Sequence, residues 1–240
     1  MVTLPAVLAF FKDARFSRET VPKELPSAKP AAHAIPLLAG SSIVKIILSR
    51  HFWQMAAGGV LISSAGASIA IHLVPLIMDG GTSGKRAAAV AAMFGIGVIV
   101  GRVVGGILVD RFHAGRVGAV FAALAALGVA AMMTAPSSVK FLSMIVFSLG
   151  LATGTEVDCI AYLTGKYFGI RNFGFAFAAL TGLFAIGAGT MPLAGGALYD
   201  VYKNYWIFQA ALVGAFALGA LALGLLGPYP RGDTPHADHS

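Results

Sequence analysis

Six long, mostly apolar runs occupy residues 52–78, 87–109, 117–135, 141–163, 173–198 and 205–226. A helix needs about 20 apolar residues to cross the hydrocarbon core of a bilayer, and each run meets or approaches that length. Membrane β-barrel strands are instead segments of about 10 residues with alternating polarity. Unbroken runs must satisfy their backbone polar groups internally, which in lipid means helices. Composition agrees. Of 240 residues only 11% are charged and 58% are hydrophobic, against about 25% charged in soluble domains. A cytosolic enzyme, a disordered chain and a small disulfide-stapled secreted domain are excluded. The sequence predicts an all-α integral membrane bundle of six transmembrane helices.

The links between runs are short, which implies antiparallel neighbours. Gly80, Gly81 and Gly84 follow the first run, and Pro136, Ser137 and Ser138 separate the third from the fourth. Lys12, Arg15, Arg18, Lys23, Lys29, Lys45, Arg50, Arg111, Arg116, Lys166, Arg171 and Arg231 fall on one side of such a bundle, while Lys85, Arg86, Lys140 and Lys203 fall on the other. The positive-inside rule then places both termini in the cytoplasm of a multi-pass protein of the plasma (inner) membrane. The net charge of +7 serves this orientation. The basic residues are dispersed and not interleaved with aromatics, so no nucleic-acid partner is expected.

Three regions are expected. Residues 1–50 comprise the end of a preceding helix (residues 2–11) and a cytoplasmic loop. The apolar stretch 43–48, with Lys45 and Arg50, suits the membrane surface. Residues 2–11 do not read as a signal peptide, because the charges follow them. Residues 51–226 form the bundle, and 227–240 a polar cytoplasmic tail without fixed structure. The lone cysteine, Cys159, excludes an internal disulfide. Asp233, His236, Asp238 and His239 sit in that tail, which lacks the fixed geometry a metal needs. No phosphate loop, zinc spacing or nucleophile elbow occurs. Neither metal, cofactor nor enzymatic activity is expected.

Charges inside the runs carry the chemistry, because each costs about 2.5–3.5 kcal/mol at mid-bilayer. Arg102 is either a cationic site for an anionic substrate, whose carboxylate its guanidinium matches, or half of an ion pair with Glu156 or Asp158. Glu156 and Asp158 are two residues apart and so do not share a helix face. They read as proton-coupling groups or as structural partners. His72 and Tyr162 are further substrate-binding candidates. His72 sits in the outer third of its run, where a hydrogen-bonded packing role also suits it. Gln54, Trp53 and Thr164 are weaker. Gly101 and Gly105, and the glycines of the fifth run, suit close helix approach.

Residues 101–117, GRVVGGILVDRFHAGRV, resemble the G-x-x-x-D-R-x-G-R loop signature of the major facilitator superfamily. Gly106, Asp110, Arg111 and Arg116 match this gating loop, while His113 and Ala114 depart from it. His72-Leu73-Val74-Pro75 with Asp79 and Gly81 is similar to the outer end of that family's seventh helix. Lys166-Tyr167-Phe168-Gly169 with Phe173-Gly174 resembles the loop between the tenth and eleventh helices, and residues 195–200 resemble the exit of the eleventh. The later pieces look most like the branch of monocarboxylate and oxalate–formate porters. The resemblance implies the C-terminal six-helix half of a secondary transporter, with Arg102 binding a small organic anion. A porter-type aspartate one turn before Arg102 falls on Val98, so Glu156 and Asp158 would supply the proton site. The implied partners are the organic anion, the lipid bilayer, and an N-terminal six-helix half or a second copy. The rival expectation is a truncated, non-transporting fragment or a structural membrane subunit.

Overall fold

The computed structural model describes residues 40–134 and 138–229. The expected helix end at 2–11, most of the central loop, Pro136, Ser137 and the tail beyond Tyr229 lie outside the described residues. The elements are α1 (Gly40–Ile47), α2 (Arg50–Asp79), α3 (Gly84–Arg111), α4 (Ala114–Met132), α5 (Val139–Tyr202) and α6 (Trp206–Gly224). No strand occurs among the described residues. Local chemistry sets several ends. Ser49 caps α2, its hydroxyl accepting from the Phe52 amide at 3.1 Å, and Ser138 caps α5 in the same way through Phe141. Gly81, at φ 87°, takes the left-handed turn that follows α2.

Five of these helices, α2 to α6, are long and apolar enough to cross a membrane, where the sequence analysis expects six spans. The difference is α5, which runs 64 residues without a loop. It still supplies two spans. Glu156 accepts a hydrogen bond from Ser63 of α2, and a Cβ built on Gly187 would meet the neighbouring Ser64. Residues 156 and 187 would lie about 46 Å apart along a straight helix, yet both reach the same turn of α2. The chain therefore doubles back between them. It does so at Gly169, whose φ of 72° and ψ of 165° interrupt the helix, a conformation glycine adopts without a Cβ penalty. We call residues 139–168 and 170–202 the first and second arms of α5.

α2 is the hub. It packs on both arms of α5 and on α6, burying Met55, Ile62, Ala65 and Ile69. α4 packs on α6 and the first arm. α3 and the second arm flank the bundle, and each buries a single narrow stripe. Ile99 is 68% exposed, Leu127 69% and Leu193 74%, on α3, α4 and the second arm. So many exposed aliphatics around one bundle need lipid or another protein as solvent. The chain is an integral, multi-pass, all-α membrane protein.

The closest helix pair is α3 with the first arm of α5. A Cβ on Gly97 would meet the Phe147 carbonyl at 2.3 Å, on Gly101 the Leu151 carbonyl at 2.4 Å, and on Gly105 the Thr155 side chain at 2.6 Å. From the other side, Gly150 meets Phe94 and Gly154 meets Val98, both at a carbonyl 2.2 Å away. Only glycine allows backbones this near. Thr155 also donates to the Gly101 carbonyl at 2.9 Å. Contact positions rise together along both helices, so this pair is parallel, unlike neighbours joined by short links.

Candidate functional site

The seam fixes the relative depth of the intramembrane charges. Gly97 and Gly150 face each other, a Cβ on either lying 3.0 Å from the Cα of the other. Six residues on from that pair, Glu156 is level with position 103, and Arg102 stands one residue, about 1.5 Å, away along the axis. Arg102 is about 7 Å from the midpoint of α3, and Glu156 about 4 Å from that of the first arm. Both occupy the central layer of the bundle.

Their surroundings differ. Glu156 is buried, 7% exposed, and its Oε1 accepts from the Ser63 hydroxyl. Asp158 is half-buried, in keeping with a position rotated away from Glu156 on the helix. Arg102 is exposed, next to the buried Gly101 and Gly105. Among the described residues no ion pair ties Arg102 to Glu156 or Asp158, so the pairing alternative is not what the structure holds. An exposed arginine at this depth cannot face acyl chains without the insertion cost given above. That face of α3 must meet water or another protein.

His72 and Tyr162 do not join this layer. The His72 Nε2 lies 3.0 Å from the Pro192 carbonyl, so Nε2 carries the proton and ties α2 to the second arm. Its Nδ1 faces the Tyr205 hydroxyl at 3.5 Å, and its ring meets Phe208 edge-on, centroids 5.4 Å apart. The Asp79 carboxylate accepts the Tyr205 amide at 3.2 Å. These contacts close the end of the bundle opposite the α3–α4 junction. Tyr162 is about two turns beyond Arg102's level, at the opposite end, with the Lys166 ammonium 5.3 Å from its ring centroid. Gln54 donates to the Ala222 carbonyl at 3.0 Å, Trp53 to the Ile47 carbonyl at 2.7 Å, and Thr164 to the Ile160 carbonyl at 2.7 Å.

The gating-loop match spans the α3–α4 junction. Asp110, Arg111 and Arg116 are exposed and Gly106 has open space around it. His113 is the N-cap of α4. Its ring stacks on Tyr229, centroids 4.3 Å apart at 14°, and the Tyr229 hydroxyl accepts the Ala114 amide at 2.9 Å. Tyr167 donates to the Gly227 carbonyl. Residues 227–229, expected in an unstructured tail, are thus strapped across this end of the bundle. Both His113 ring nitrogens are enclosed without a hydrogen bond of good geometry. Burial lowers the His113 pKa below its ordinary 6.5, aided by the Arg116 cation and opposed by the Gly227 backbone. Burial likewise raises the Tyr229 phenol.

Sequence reasoning missed Ser63, Thr155, Tyr229 and the Gly150–Gly154 half of the seam. Each is a residue common in apolar spans, and its role exists only across helices.

The family model described as Major Facilitator Superfamily matches residues 56–239, well over half the chain. The chain belongs to the Major Facilitator Superfamily. A similar solved structure is the crystal structure of the E. coli fucose:proton symporter FucP, with a TM-score of 0.61 at 19% sequence identity. The match covers 77% of this chain and 44% of that one, so the chain spans less than half the length of the symporter. No curated protein matches the chain in sequence.

Proposed function

We propose that this chain is one six-helix half, residues 51–226, of a secondary transporter that moves a small organic anion by alternating access. The observation that carries the reading is the central layer, where an exposed Arg102 with no anionic partner among the described residues stands at nearly the same depth, within about 2 Å, as a buried Glu156. A guanidinium at mid-bilayer holds a carboxylate in two parallel hydrogen bonds. A buried carboxylic group hydrogen-bonded to a serine hydroxyl is suited to taking up and releasing a proton as the site opens to either side. Asp158, half-buried two residues on and turned to another face of the helix, is a second carboxylate nearer the loop end. A monocarboxylate of the kind handled by oxalate–formate and monocarboxylate porters fits a single arginine with no lysine in the fifth run.

In transporters built from two repeats such sites lie between the repeats. Arg102's exposed face is then the face that meets the second repeat, supplied by a companion half or a second copy. The 44% coverage of the fucose symporter chain supports that reading. Rocking of the two halves would expose Arg102 first to one side, then to the other. The basic end of the bundle faces the cytoplasm of the inner membrane, with Asp110, Arg111 and Arg116 gating it. His72 and Tyr162 stand outside the layer and would act at the mouths of the pathway.

The test is uptake of a panel of labelled monocarboxylates and dicarboxylates by cells expressing the full-length gene product. Arg102→Ala is expected to abolish uptake at unchanged expression and membrane insertion. Normal uptake by that variant overturns the site assignment. If neither protein takes up any anion, while both insert, the structural-subunit reading replaces transport.

A further inference from the structure

At the basic end of the bundle, α1 and the start of α2 lean on the turn of α5 at Gly169. Between them lies a cavity of about 290 Å³, unrelated to the central layer. One wall is Lys45, Ser49 and His51, the other Tyr167 and Asn172, with Phe168 below. His51 is held in place by stacking on Tyr167, centroids 4.8 Å apart. The Ser49 hydroxyl accepts from the α2 backbone, which leaves its own proton to donate.

The charge around this cavity is of one sign. Residues 40–55 carry Lys45 and Arg50, residues 164–175 carry Lys166 and Arg171, and neither segment contains an Asp or Glu. A collar of apolar side chains surrounds it: Leu48 is 77% exposed, Trp53 55% and Ile170 95%. Such a collar is misplaced in water and sets the depth of this end at the boundary between headgroups and acyl chains. The polar cavity then sits at the level of lipid phosphates, with an ammonium, a hydroxyl and an imidazole lining it.

We propose that this cavity binds the phosphodiester headgroup of an anionic phospholipid, with Lys45 as its cation and the exposed collar against the acyl chains. Basic pockets between helices at this depth are suited to such headgroups. The site is independent of the transport reading.

The chain has two tryptophans, Trp53 beside the cavity and Trp206 at the opposite end of the bundle, so a Trp206→Phe background reports on Trp53 alone. In nanodiscs of zwitterionic lipid, brominated phosphatidylglycerol is expected to quench Trp53 more than brominated phosphatidylcholine at the same mole fraction. The preference should be about fivefold, the factor for one lysine near an anionic surface. Lys45→Glu should remove it. Arg171→Glu, the same charge change at the same end but outside the cavity, should leave most of it. Equal quenching by the two lipids overturns the proposal. So does equal loss in both variants, which means a diffuse field rather than a site. Loss of the preference on adding inorganic phosphate overturns the lipid assignment in favour of a soluble phosphate.

Discussion

Gly150→Ala should unseat α3 from the first arm of α5. The added Cβ would lie 2.2 Å from the Phe94 carbonyl oxygen and 3.0 Å from the Gly97 Cα. Ordinary contact begins near 3.4 Å, so the two backbones must part by about 1.2 Å. Neither obstacle is a side chain that can swing away. Overpacking of this kind costs about 1–3 kcal/mol. Parting also stretches the Thr155–Gly101 hydrogen bond of 2.9 Å, worth about 0.6 kcal/mol in a membrane helix pair. A loss of roughly 2–3 kcal/mol is expected. Gly95→Ala is the internal control. It adds the same methyl to α3 where nothing lies within 4 Å, and the helix propensity of alanine should make it neutral or stabilising by up to about 1 kcal/mol. The assay is SDS unfolding of the purified protein in mixed micelles, followed by circular dichroism. Equal unfolding midpoints for the two variants would refute the seam, because only its geometry distinguishes two otherwise identical substitutions.

Two further outcomes concern the strap at the α3–α4 junction. Tyr229→Phe keeps the ring on His113 but loses the hydrogen bond to Ala114 and should cost about 1 kcal/mol in the same unfolding assay; no change means the strap is not held there. The depressed pKa of His113 means that the unfolded or detached state binds a proton more readily than the packed one. Stability of the strap is therefore full above the ordinary value of 6.5 and falls as pH drops through it. Amide exchange at Leu225, Leu226, Gly227 and Tyr229 should quicken between about pH 7.5 and pH 5 after correction for intrinsic rates. It should not do so in His113→Phe, and equal pH dependence in both proteins contradicts the clamp.

What could be read from the sequence followed from solvent physics. Runs of apolar residues with few charges leave a helical membrane bundle as the available class, and the structure has it. Run lengths mark six crossings, although the fourth and fifth runs form one helical segment broken at Gly169. Hydropathy marks where a chain crosses lipid, whereas the break at Gly169 is a single backbone torsion. The intramembrane position of Arg102 and Glu156 was equally plain, since charge in an apolar run is conspicuous. Whether they pair was not, because pairing depends on the azimuth and register of two helices 50 residues apart. The glycine seam settles that register. One strand of it, Gly101 and Gly105, shows a four-residue spacing in the sequence, but its partner glycines on α5 gain meaning only from the parallel packing. Tyr162 shows the limit of reading along one helix. It shares a helix with Glu156, yet six residues of rise carry it about 9 Å toward the loop end, out of the central layer. Tyr229 reads as part of a polar tail, and only the ring of His113 on its face gives it a place.

The central claim is that Glu156 couples proton movement to an anion held by Arg102. Its most direct test is a paired flux measurement on proteoliposomes containing the full-length gene product. Uphill anion uptake driven by a pH gradient is compared with anion exchange at equal pH on both sides, in the native protein and in Glu156→Gln. The account predicts that Glu156→Gln keeps exchange, because Arg102 still holds the anion, and loses gradient-driven uptake. Undiminished gradient-driven uptake by Glu156→Gln contradicts it.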